Sequence, residues 1–234
     1  EPYHVKYFGL GNEIYGDWQP GQKTASEYAR WCHEAIHQMK LVDPSIEIIT
    51  CGFGRFNPAW DRTLLHDLAD RIDMISVHNY FGRPIFRDSV AASRVCEQML
   101  NQMSVNIDEM LDAHLDIKTR PGIAFDEWNV WYRATHNQET DGEEIYNYTD
   151  ALTVASLMHV IFRNARLIRM ANSSLFVNVL GAVFTDSSRS VRQTIFYPQQ
   201  LLHNCHHGRV VKSVVDAPTF SAKHERFFCG IVDT

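Results

Sequence analysis

Apolar residues gather in short, nearly continuous runs, separated by longer stretches in which they recur every three or four positions. The short runs are Val5 to Leu10, Ile46 to Phe53, Asp73 to Tyr80, Gly122 to Val130 and Leu175 to Leu180. They are rich in β-branched and aromatic residues and lack a polar face, which predicts strands covered on both sides. The longer stretches predict helices. Thr24 to Val42 opens with capping-box spacing between Thr24 and Glu27, places Tyr28, Trp31, Cys32, Ala35 and Met39 at helical intervals, and ends just before Pro44. Further helices are expected over Ala59 to Ala69, Asp88 to Leu115 (with Val95, Met99 and Met103 on one face) and Tyr146 to Leu167.

Strands alternating with helices indicate an α/β fold with a parallel sheet. Two closures compete: an open doubly wound sheet and a (β/α)8 TIM barrel. An open nucleotide-binding sheet often carries a Gly-rich turn after its first strand, and no such turn occurs here. Polar and aromatic residues instead collect where strands end: Asn12 and Glu13; His78 and Tyr80; Glu127, Asn129 and Trp131. A barrel builds its active site on that rim, so the barrel is preferred. Only five strand–helix units are legible, against the eight of a full barrel. The expectation is therefore a barrel present from about its fourth strand onward, over residues 1–208. After it, Arg209 to Asp216 and Phe227 to Val232 look like antiparallel strands, the beginning of a β-sandwich domain over 209–234.

The chain has 234 residues, a net charge of −6 and no basic stripe, which argues against nucleic acid as a partner. Its apolar runs are too short to cross a bilayer, so no membrane partner is expected. The five cysteines are scattered and form no C-x-x-C pair. They read as free thiols in a reducing, cytoplasmic compartment.

Two glutamates carry the candidate chemistry. Glu13 and Glu127 each close an apolar strand and are followed by aromatics, with two further strands between them. On an eight-strand ring that separation brings two side chains face to face across the mouth. Retaining glycoside hydrolysis needs such a pair about 5 Å apart: one carboxylic acid for the leaving oxygen, one carboxylate for the anomeric carbon. Glu13 is read as the acid/base and Glu127 as the nucleophile. An ionised Glu127 nearby is expected to raise the pKa of Glu13. No cofactor and no metal are needed. His203, Cys205, His206 and His207 are ligand types, but their spacing fits no standard zinc site.

Here the sequence resembles glycoside hydrolase family 51. Gly11-Asn12-Glu13, continued by Gly16, Trp18 and Gln19, is similar to that family's acid/base motif. Asp126-Glu127-Trp128-Asn129-Val130-Trp131-Tyr132 is similar to its nucleophile motif. Val177-Asn178-Val179 and Arg192 to Pro198 match later segments. The resemblance implies a retaining α-L-arabinofuranosidase acting on terminal non-reducing residues of arabinose-containing glycans. It makes Glu13 the end of the fourth barrel strand and Glu127 the end of the seventh. It also implies that Asn12 binds the sugar 2-hydroxyl, that Tyr80 hydrogen-bonds the nucleophile and holds it ionised, and that Trp131 and Trp18 wall the sugar. His78 is a further substrate-site candidate. A homo-oligomer in a bacterial cytoplasm is implied as well. One departure stands out: Leu175 occupies a place where the family carries a sugar-contacting Gln. The rival readings are another retaining barrel glycosidase, of endoglucanase or β-xylosidase type, and a catalytically inactive carbohydrate-binding protein.

Overall fold

A computed structural model describes residues 3–54, 57–132, 143–205 and 208–222. In chain order the elements are β1 (Tyr7–Leu10), α1 (Ala25–Val42), β2 (Glu47–Thr50), α2 (Pro58–Asp67), β3 (Met74–Phe81), α3 (Phe86–Val90), α4 (Ala92–Ala113), β4 (Gly122–Val130), α5 (Tyr148–Arg163), β5 (Ile168–Ser173), β6 (Val183–Thr185), β7 (Ser190–Arg192) and α6 (Phe196–Cys205). Strands β1 to β5 form one sheet in sequence order, and β6 pairs antiparallel with β7. The chain packs as two compact units: Glu1–His78 with Gln98–Asp126 and Arg166–Met170, and Asn79–Glu97 with Glu127–Ala165 and Ala171–Thr234.

In the first unit, β1 pairs parallel with β2, and β2 parallel with β3. Ile48, Ile49, Met74, Ile75 and Val77 are buried along these strands. Helix α1 turns Tyr28, Ala29, Cys32 and Ile36 inward, one stripe at helical spacing. Its capping box is formed as expected, Thr24 bonding the Glu27 backbone while the Glu27 side chain bonds that of Thr24. The hydroxyl of buried Tyr28 donates to the Leu10 carbonyl and accepts from the Cys51 N–H at 2.9 Å and from the Thr50 hydroxyl at 3.5 Å. That one side chain thereby fixes the ends of β1 and β2.

In the second unit, α5 packs on α3 and α6. Gln193 is buried and ties two segments to its own: its Nε2 donates to the Glu144 and Gly181 carbonyls, and its Oε1 accepts from the Tyr146 N–H. This explains the Gln of the Arg192 to Pro198 segment as a structural residue.

The hydrogen bonds of β4 change sides along its length. At its start Gly122 N–H donates to Asp73 of the β3 side and Ile123 N–H to Leu167 of the β5 side. At its end Trp131 N–H donates to Phe81 on β3, while the Trp128 carbonyl accepts from Ser174 next to β5. Even-numbered residues face β3 at the start and odd-numbered ones at the end. A regular strand alternates without exception, so one extra residue is inserted between Ile123 and Trp128, a β-bulge.

Three expectations are corrected. The fifth strand is Ile168–Ser173, not Leu175 to Leu180. The later run is apolar, but Leu175, Phe176 and Val177 are exposed, and Asn178 and Val179 take left-handed backbone at φ 55° and 47°, which ends extended structure. The helix expected over Asp88 to Leu115 is two helices, α3 and α4, separated at Ala91. Arg209 to Asp216 forms no strand and is exposed; β-propensity cannot make a strand without a neighbour to complete its hydrogen bonds. Phe227 to Val232 lies outside the described residues, as do His206, His207 and Cys229. Cys32, Cys51 and Cys96 are free and buried, and Cys205 is free and exposed. Among the described residues, no helix is long and apolar enough to cross a membrane.

Candidate active site

In the first unit the site is built on the turn after β1 and on β3. Gly11 at φ 85° starts the turn, and Glu13 itself adopts φ 47°, a conformation that costs a non-glycine residue about 1 kcal/mol or more. The Gly16 N–H closes the turn on the Glu13 carbonyl at 2.8 Å. Gly16 is required there, because a Cβ would lie 2.4 Å from the Trp18 ring. Trp18 folds back over it, and its indole N–H donates to Glu13 Oε2 at 3.0 Å. On the other oxygen, His78 Nδ1 meets Glu13 Oε1 at 3.1 Å. Behind the imidazole, Nε2 faces Asp126 Oδ1 at 3.4 Å, and Ser76 Oγ donates to that same Asp126 oxygen at 2.6 Å. Tyr15 packs on Phe53 at a tilt of 38°, 4.0 Å between centroids, and meets Trp18 edge-on.

Electrostatics at Glu13 run against expectation. Burial acts to raise its pKa, but hydrogen bonds from His78 and Trp18, the charge interaction with His78 and a hydrogen bond from Tyr15 outweigh it. The carboxyl is held below its ordinary value. The raised pKa expected from the sequence is therefore corrected: donors reach both oxygens of Glu13, His78 on one and Trp18 on the other.

In the second unit, Tyr80 donates its hydroxyl to Glu127 Oε1. The Tyr80 ring meets Trp131 edge-on, 5.1 Å between centroids. Trp131 is half-buried and its backbone N–H bonds Phe81. Trp128, which follows Glu127, is buried in the core. Asn129 is fully buried and donates to the Leu180 carbonyl, a structural duty.

Among the sequence candidates, then, Glu13, His78 and Trp18 meet in the first unit, and Glu127, Tyr80 and Trp131 in the second. Asn12 is exposed on the β1 turn with no side-chain hydrogen bond among the described residues. Leu175 is 44% exposed. Sequence reading missed Ser76 and Asp126. The signal for Ser76 was available: Ser76, His78 and Tyr80 alternate along β3, so their side chains leave from one face.

The turn after β1, β3 and β4 thus carry hydrogen-bonded glutamates and aromatics, the carboxyl groups that glycoside hydrolysis requires. Comparisons with known proteins show what the chain is similar to. The sequence family described as the alpha-L-arabinofuranosidase C-terminal domain matches residues 126–227. An intracellular exo-alpha-(1->5)-L-arabinofuranosidase of Halalkalibacterium halodurans is 34% identical, over 95% of this chain and 48% of its own length. The alpha-L-arabinofuranosidase of Thermotoga maritima, solved as an arabinose complex, superposes with a TM-score of 0.81 at 34% identity, over 89% of this chain and 42% of its own. A family 51 enzyme of Bifidobacterium longum gives 0.82 at 27% identity, over 89% and 45%. In sequence and fold the chain is similar to arabinofuranosidases, a family 51 enzyme among them, and it spans about half the length of the curated relatives it matches.

Proposed function

We propose that the whole protein is a retaining α-L-arabinofuranosidase that releases terminal non-reducing arabinofuranosyl residues from arabinose-containing glycans. Glu13 is its acid/base and Glu127 its nucleophile. The observation that supports this most is on β3. His78 and Tyr80 are two residues apart, so their side chains project from the same face, separated by roughly 7 Å of strand. One holds Glu13 and the other holds Glu127. A double displacement needs two carboxyl groups about 5 Å apart, and the reading makes these two hydrogen-bonded glutamates that pair.

In the first half-reaction a Glu127 oxygen bonds the anomeric carbon as the glycosidic C–O bond breaks, and Glu13 gives its proton to the departing oxygen. In the second, water attacks the same carbon, the bond to Glu127 breaks, and Glu13 takes the proton from water. Tyr80 orients the attacking oxygen. Trp18 and Trp131 offer ring surface to the sugar, and Asn12 is placed to meet its 2-hydroxyl. No cofactor enters the scheme. We place the segment to residue 208 in a (β/α)8 barrel and the following residues at the start of a β-sandwich domain. A homo-oligomer is part of the same reading, as is an intracellular setting like that named for several relatives.

The test is Glu127→Ala in the full-length protein. Turnover of an aryl α-L-arabinofuranoside should fall on the order of 10⁴-fold, and added azide should restore it with inversion at the anomeric carbon. Activity near that of the parent would refute the assignment.

A further inference from the structure

A carboxyl held below its ordinary pKa is a poor store for the proton a leaving sugar needs. The residues behind Glu13 offer a resolution, and it rests on the function proposed above. We propose that Asp126 is a positioning residue for acid catalysis: it acts through His78 so that Glu13 and His78 hold one proton between them.

The geometry is a row of four groups in one unit. Ser76 Oγ donates to Asp126 Oδ1 at 2.6 Å, His78 Nε2 lies 3.4 Å from that oxygen, and His78 Nδ1 lies 3.1 Å from Glu13 Oε1. His78 is 8% exposed, so its ring is set by these neighbours rather than by water. An ionised Asp126 beside Nε2 favours a proton on that nitrogen. The neutral imidazole then presents a bare Nδ1 to Glu13, which is stable only with a proton between the two: as Glu13 O–H to Nδ1, or as Nδ1–H⁺ to the carboxylate. When that proton passes through Glu13 to the leaving oxygen, neutral His78 and a Glu13 carboxylate remain. The proton taken from water in the second half-reaction restores the pair. Asp126 gains and loses nothing.

The β4 bulge makes this possible. In a plain strand, Asp126 and Glu127 would point to opposite faces. Here Asp126 reaches Ser76 and His78 while Glu127 meets Tyr80, all three on one face of β3.

The experiment compares Asp126→Asn with the parent in the full-length protein on two substrates, a methyl or sugar α-L-arabinofuranoside and a dinitrophenyl one. The alkyl leaving group needs the proton and the dinitrophenolate does not. The expected result is a loss of about 10²-fold in kcat/KM on the first, with less than about threefold on the second. An equal loss on both, or none on either, overturns the proposal. Ser76→Ala, which leaves Asp126 without its supporting donor, should give the same selective pattern more weakly. It decides the matter if Asp126→Asn does not fold. Glu127→Ala run beside them separates the two ideas: if it leaves both substrates untouched the proposed function fails, whereas if it abolishes both the Asp126 result stands by itself.

Discussion

Glu127 receives the hydroxyl of Tyr80, and this is the bond most open to a single-atom test. A hydrogen bond to a charged group contributes about 1.5–3 kcal/mol, and each 1.36 kcal/mol is tenfold in rate. Tyr80→Phe keeps the ring and its edge-on contact with Trp131 and removes only the donor. It should lower kcat/KM by roughly 10- to 100-fold with little change in thermal midpoint. Kinetics within about twofold of the parent would mean that the bond is not used in the transition state. Glu13 differs in kind, because its donors come from two elements, Trp18 on the β1 turn and His78 on β3. The motif Asn12-Glu13 with Gly16 and Trp18 was recognisable in the sequence. That Trp18 bonds the glutamate through its indole nitrogen was not, since it depends on the ring folding over Gly16, which has no Cβ.

At the scale of elements, local signals were read well where local chemistry decides. The capping box of α1 and the limits of β4 are as the sequence indicates. The misreadings share a cause. An apolar run was taken for a strand at Leu175 to Leu180, and again at Arg209 to Asp216, although a strand is completed only by its neighbours. The bulge in β4 is likewise a property of pairing with β3 and β5, and no composition announces it. The loop after β2 carries a further consequence. Asp61 of α2 is buried, and one oxygen accepts from Phe53 N–H at 2.6 Å and Gly54 N–H at 3.3 Å. Its other oxygen has no partner among the described residues. Burial outweighs those two bonds and pushes its pKa from 3.8 up to about 7. The folded state therefore binds a proton that the unfolded state releases at lower pH. The associated stability is full below pH 3.8 and is lost as pH rises through about 7. Asp61→Asn, which keeps an accepting oxygen, should flatten this trend. Urea midpoints at pH 5 and pH 8 should draw together in the variant, and an unchanged gap would contradict the account.

At the scale of the molecule, four of the five strands of the sheet were legible beforehand, while the two glutamates expected to close strands lie on the turn after β1 (Glu13) and within β4 (Glu127). The family resemblance on two short motifs is matched by similarity over most of the chain. The bond from Tyr80 to Glu127 was expected from the resemblance, whereas the hold of His78 on Glu13 was not. On β3, His78 and Tyr80 serve one each, and a register shift in β4 brings Asp126 into the same row. The central claim is that Glu127 forms a bond to the sugar which Glu13 then helps water to break. It is tested most directly by denaturing the Glu13→Ala protein during turnover of a dinitrophenyl α-L-arabinofuranoside and locating the attached sugar by peptide mass spectrometry. With the second step slowed and the first spared, the sugar should accumulate on the peptide containing Glu127 and on that side chain. A sugar on any other carboxylate, or an unlabelled protein under conditions of rapid first-step turnover, would contradict the account.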